Sequence, residues 1–228
     1  MDLSAVWISL KTASVSIVFT FLLGILAAWA VVSLHREKLK MVLDAILTLP
    51  LVLPPTVAGF FLLYIFGVKR PVGEFFLDVL GVKIVFSWGA TVLAAVVISF
   101  PLMYRSARGA FEQVDADLVS AARTIGMNEW RIFRKVILPM ALPGVAAGGI
   151  LAFARGLGEF GATIMIAGNI AGQTRTLPLA IYSAVAGGNM ESAYEYVLIL
   201  VGISFLVVAG MNWFTAKERK YLGRGGRK

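Results

Sequence analysis

Residues 12–34 read TASVSIVFTFLLGILAAWAVVSL, a run without one charged side chain. At about 1.5 Å of rise per residue, a helix of this length crosses the roughly 30 Å hydrocarbon core of a bilayer. Further uncharged runs follow at 45–68 (a span of about 41–68 with its first turn), 84–104, 136–154 and 196–216. These five predicted spans define an all-α integral membrane protein, organised as one transmembrane domain over residues 1–228.

Composition supports that reading and excludes others. The chain is 59% hydrophobic and 15% charged, with a mean hydropathy of +0.84, whereas a soluble domain carries about 25% charged residues. A soluble enzyme, a disordered chain or a nucleic-acid-binding module is a poor fit. Cys 0 and a single histidine, His35, leave no cysteine chemistry and no metal cluster. The net charge of +8 is concentrated after the first run, between the third and fourth runs, and after the fifth. With five spans these segments share one side, and the excess of Lys and Arg makes that side cytoplasmic. The N-terminus is then outside and the C-terminus inside, in a cell (inner) membrane. The opening Met1-Asp2-Leu3 lacks the basic start of a cleaved signal.

The segment 155–195 is apolar too, but a crossing there would carry the basic tail outside. It is read as an outer re-entrant or gate segment, with a sixth span as the competing topology. Its glycines break helices, and irregular backbone at membrane depth has to be lined by protein or water. Residues 71–83 read as a short amphipathic element in the outer interface.

Residues 105–135 are too long for a simple connection. Asp115 is a candidate N-cap for one short helix, Gly126 a candidate left-handed stop, and Asn128 a candidate N-cap for a second helix running toward Pro139. Small Ala121 and Ala122 permit a partner to approach closely; the alternative is an amphipathic pair lying on the membrane. No G-x-x-x-x-G-K-[ST] loop occurs, so energy for pumping comes from another subunit and the chain itself is no enzyme.

The string Ser120-Ala121-Ala122, with Gly126 and then Val136, Leu138 and Pro139, resembles the EAA---G---------I-LP loop of bacterial ABC importer permeases. Ser120 stands where the pattern has Glu, and Val136 where it has Ile. The runs 49–59, 153–162 and 168–176 are similar to those of the permease subunits of molybdate ABC transporters, over nearly the whole chain. The resemblance implies a type I ABC importer transmembrane-domain fold with cytoplasmic coupling helices. It implies a homodimer, two cytoplasmic ABC ATPase subunits that bind the ATP and Mg, and an extracytoplasmic molybdate-binding protein. This chain would bind no cofactor and no nucleic acid, and would touch only these partners and the lipid bilayer. Tungstate or sulfate is the alternative cargo. A gradient-driven transporter, a channel and a membrane scaffold are the rivals of other classes.

A pathway can be sketched beside the resemblance. Pro50, Pro54 and Pro55, with Thr56, predict a broken, pathway-lining helix whose freed backbone groups face cavity water. Gly144, Gly148, Ala152 and Gly156 recur every four residues, a stripe for close helix packing. Arg155 and Glu159 stand at i, i+4, a local ion pair or part of an outer gate. Arg155 and Arg175, with backbone N–H groups of the glycine-rich segment, would attract a doubly negative oxyanion in a nest-like arrangement, and Gly161 and Asn169 are further pathway or gate candidates.

Overall fold

The first apolar run forms one helix, α1 (Ser4–Val32). The second forms two, α2 (Glu37–Val52) and α3 (Pro55–Phe66), which meet at 110°. Tandem prolines set the bend. Leu53 and Pro54 each precede a proline and hold extended ψ angles of 140° and 134°, because the following ring disfavours the helical region. Pro55 then sits in the first turn of α3, where its missing N–H is no loss. The expectation that Pro50 shares in the break is corrected: α2 runs through it, since Pro50 forfeits one donor close to a helix end.

The computed structural model describes the backbone of residues 2–225 and the side chains of residues 2–210. The basic tail from Lys217 to Lys228 therefore lies outside the residues whose side chains are described. After α3 come α4 (Pro71–Leu80), α5 (Trp88–Glu112), α6 (Ala116–Thr124) and α7 (Glu129–Ile132). A π-helical turn, Phe133–Ile137, leads into α8 (Leu138–Leu157). Next are α9 (Gly161–Ala167), α10 (Leu177–Ala186) and α11 (Met190–Gly225). No strand occurs among the described residues. Among the described residues, four helical stretches are long and apolar enough to cross a membrane, or five if the bent pair α2–α3 is one span.

The centre of the bundle is a seam of small and hydroxyl residues. Thr12 and Thr91 hydroxyls lie 3.0 Å apart and Thr20 and Ser99 hydroxyls 3.1 Å apart, both pairs separated by 79 residues. A constant offset means that α1 and α5 run in the same direction. Gly24 against Met103 continues the register. The predicted stripe on α8 packs against α5, Gly144 near Ala110, Gly148 near Ser106 and Gly156 near Ala95. Ascending α8 thus descends α5, so the two are antiparallel. Small residues let helix backbones approach where lipid gives no hydrophobic push.

α11 follows α1. The Asp2 N–H donates to Tyr196 Oη at 2.9 Å, and farther along, Leu206 and Gly210 border the same hollow as Phe21 and Gly149. α1, α5 and α11 therefore point one way and α8 the other. The segment between α8 and α11 returns to the end from which it leaves, as α9 and α10 with a tight turn between them.

Helix lengths exceed the apolar runs. α5 continues past residue 104 through Arg105, Arg108 and Glu112, because an uncharged run measures membrane thickness and a helix can emerge beyond it. α4 takes the place of the amphipathic element, with Val72, Phe75, Val79 and Leu80 exposed.

Candidate functional site

Two places carry the predicted functional residues. The first is the corner between α5 and α8. Asp115 Oδ1 accepts from the Asp117 N–H at 2.8 Å and Asn128 Oδ1 from the Arg131 N–H at 2.8 Å, so both proposed caps form. Gly126 ends α6 with φ 81°, a left-handed angle that a side chain disfavours. The Met127 N–H donates back to the Ala122 carbonyl at 3.1 Å, closing the helix end.

α6 is anchored by one small residue and otherwise faces outward. Ala122 is buried, whereas Leu118, Ala121 and Ile125 are exposed, Ile125 by 78%. Beneath α6 lies a cleft of about 700 Å³ bordered by Ser120, Arg123, Glu129, His35 and Trp29. Ser120 is exposed and lines this cleft. Leu138 and Pro139 begin α8, with Pro139 in the first turn.

The corner rests on an aromatic base that the sequence reading missed. Phe133 packs on Trp29 at 4.8 Å, on Phe111 at 5.6 Å and on Trp130 at 5.7 Å between ring centroids. Phe133 and Ile132 are buried. These rings tie the ends of α1 and α5 to the start of α8. The i, i+3 pair Trp130 and Phe133 was the available signal. The chain entering α8 is not uniformly α-helical: the π-helical turn Phe133–Ile137 ends two residues before Pro139, and such turns recur at functional sites.

The second place is the segment 155–195, where it meets the bend between α2 and α3. A Cβ on Gly161 would stand 2.9 Å from Pro55 Cβ and 3.1 Å from the Thr56 nitrogen. Gly59 abuts Ala162 in the same way. Pro55, Thr56 and Gly161 are thereby brought together, with Pro54 adjacent. Glu159 is 2% exposed. Its Oε1 accepts from the Ala162 N–H at 2.7 Å, so it caps the start of α9. Arg155 Nη1 lies 2.7 Å from Oε2, which has no aligned hydrogen-bond donor. The pair is an ion contact in which Arg155 remains part-exposed.

Asn169 and Arg175 form a separate cluster. Arg175 Nε donates to Asn169 Oδ1 at 2.8 Å, and Asn169 Nδ2 donates to Ser183 Oγ at 2.6 Å on α10. No hydrogen bond or ion pair among the described residues joins this cluster to Arg155 and Glu159; the link is the packing of Phe160 on Tyr182, 5.4 Å between centroids. The nest-like arrangement is corrected for this turn. The N–H groups of Gln173, Thr174 and Arg175 all converge on the Ile170 carbonyl at 3.1, 2.9 and 3.0 Å. The turn thus closes its own donors on one carbonyl instead of presenting them to an anion. Among the described residues no group of His, Asp and Glu is arranged to hold a metal.

Comparisons with known proteins agree with this architecture. Residues 20–220 match the family described as binding-protein-dependent transport system inner membrane component. The chain is 43% identical to the molybdenum transport system permease protein ModB of Escherichia coli (strain K12), over 96% of each chain. It is 39% identical to the ModB of Haemophilus influenzae, over 99% of this chain and 98% of that protein. In structure it is similar to a chain of the inward-facing MetNI methionine ABC transporter, with TM-score 0.72, 20% identity, and 93% and 94% of the two chains covered. At that identity the likeness concerns fold alone, that of an ABC importer transmembrane domain. By sequence and by fold, this chain belongs to the family of binding-protein-dependent transport system inner membrane components.

Proposed function

We propose that the chain is the permease subunit of an ATP-driven importer that moves an oxyanion, molybdate, into the cytoplasm by alternating access. The observation that carries the reading is α6, an exposed knob with Ile125 and Leu118 outward, fixed to three helix ends by a packed aromatic base. Such a part transmits force applied from outside the chain. The near-full-length likeness to molybdenum permeases supplies the cargo.

Two copies pair with the pathway between them, and each α6 docks on one of two cytoplasmic ATPases that bind ATP and Mg. An extracytoplasmic binding protein delivers the anion. The alternating helix directions support five net crossings, with the N-terminus outside and α6 inside with the C-terminus. Pro54, Pro55 and Thr56 with Gly161 form the constriction. Arg155, held by Glu159, attracts the anion at its outer rim, and the Asn169–Arg175 cluster braces that rim from α10.

The test is co-reconstitution with the ATPase and the binding protein in liposomes, the latter loaded with molybdate, tungstate or sulfate in turn. Molybdate uptake that requires ATP is the expected result, and Ile125→Asp should abolish capture of the ATPase without unfolding the permease. Uptake only with tungstate or sulfate would replace the cargo. Steady anion movement by the purified chain without an ATPase would overturn the reading.

A further inference from the structure

Among the described residues, α2 is the least buried of the long helices. None of its residues is buried, and Leu43 and Leu47 are only partly covered by the core. Its far end stops at the proline bend, while α3 beyond the bend is held tightly, Gly59 against Ala162. What fastens the near end of α2 is charge. Asp44 Oδ1 contacts Arg108 Nη1 and accepts from the hydroxyl of Tyr104 at 3.0 Å. Arg108 Nε donates to Glu112 Oε1 at 2.9 Å, and Lys40 Nζ lies 3.6 Å from the same oxygen. Signs alternate through the cluster, Arg108 bridges two carboxylates, and Tyr104 is fully buried beneath it. A lone surface pair would matter little, but a bridging guanidinium in a partly buried network fixes geometry as well as charge.

The position of this cluster gives it a use. Arg108 and Glu112 occupy the last turns of α5, and α6 begins at Ala116. Any displacement of α6 reaches α5 directly. It reaches α2 through this cluster, and α2 ends at the bend that meets Gly161.

We propose that Arg108 is a positioning residue for transport: by tying Asp44 to α5 it makes α2 follow α6, so that movement at the inner knob opens and closes the proline bend. This rests on the permease reading above. Without the tie, α6 still docks and the partner still hydrolyses ATP, but α2 no longer follows and the cycle slips.

The experiment measures anion uptake and ATP hydrolysis in the same liposomes, with the full complex, and compares uptake per ATP. Arg108→Ala is expected to lower that ratio by about tenfold, within the usual range for coupling between sites, with unchanged recovery of ATPase. Arg108→Lys, which keeps the charge but not the bridge, should fall between. Because the chain has Cys 0, D44C/R108C introduces the only thiols on it. A short bis-thiosulfonate cross-linker, which forms a disulfide to each cysteine and releases sulfinate, applied to the purified permease before assembly, should restore the ratio, and reduction should abolish it again. Asp44→Asn serves in place of Arg108→Ala if the latter does not fold. The proposal is overturned if these variants keep the wild-type ratio, or if the cross-link forms and the ratio stays low. Wild-type uptake without ATP would instead overturn the permease reading on which it stands.

Discussion

α5 and α2 are neighbours, and they behave as opposites. α5 buries residues along its whole length, from Ala90 to Phe111, while α2 buries none. Both are rich in apolar side chains, so hydrophobicity does not separate them. Composition of another kind does. α5 carries Ala90, Thr91, Ala94, Ala95, Ser99 and Ala107 on its packed faces, and α2 offers only Ala45 and Thr48 among large aliphatics and charges. In lipid, where a leucine gains nothing by leaving its solvent, helices associate through close backbone approach and hydroxyl bonds. A helix with small residues becomes a strut, and one without them remains free to be moved.

The strongest way to break this contrast is to attack the base beneath the struts. Phe133→Ala empties the space between Trp29, Phe111 and Trp130 and should cost about 3–5 kcal/mol, as large-to-small core changes do. Equilibrium unfolding in detergent measures it, and a loss no larger than a surface change would show that the corner is not a rigid unit. Gly148→Leu tests the seam itself. The first added carbon collides with Ser106, and overpacking of this kind costs about 1–3 kcal/mol. The matched change on α2, Val42→Leu at an exposed position, should leave the melting curve where it was.

Much of the local design is legible in the chain because it depends on neighbours in sequence. The caps at Asp115 and Asn128, the stop at Gly126 and the four-residue stripe on α8 need only helix periodicity and short side chains, and each forms as read. The Arg155–Glu159 pair is legible for the same reason. What depends on distant partners is not. The proline triplet announces a break but not that Pro50 stays helical. The Asp44–Arg108 tie joins residues on two helices with α3 and α4 between them in the chain. The glycine-rich turn suggests free donors, yet its N–H groups close on the Ile170 carbonyl, an outcome set by the backbone angles of the turn and not by its composition.

A finer test lies in the hydroxyl seam. Thr12→Val removes the contact with Thr91 and also the acceptor for Trp88 Nε1, 3.0 Å away. Hydrogen bonds between membrane helices contribute about 0.6 kcal/mol on average, so the loss should be small but measurable in unfolding experiments. Thr91 keeps a second acceptor, the Trp88 carbonyl at 2.7 Å, which limits the penalty. A large loss would mean that the seam is held by polarity more than by the close approach of small residues.

The slightest of the expected losses concerns the junction of α6 and α7. Arg123 Nε and Nη2 reach the two carboxylate oxygens of Glu129 at 2.7 and 3.1 Å, clasping the end of α6 to the start of α7. The hydrogen bonds from Arg123, followed by its charge and a smaller pull from His35, hold the Glu129 carboxyl below its ordinary value of 4.5. The folded group is the stronger acid, so the clasp contributes in full above that ordinary value and fades as the pH falls through the lower folded one. Both side chains are solvated, which keeps the contribution slight. Hydrogen exchange of the α6 and α7 amides should therefore differ between wild type and Glu129→Gln at neutral pH, and the difference should vanish in acid. An equal difference at both would mean that charge has no part in holding the knob, and that the caps at Asp115 and Asn128 set its shape unaided.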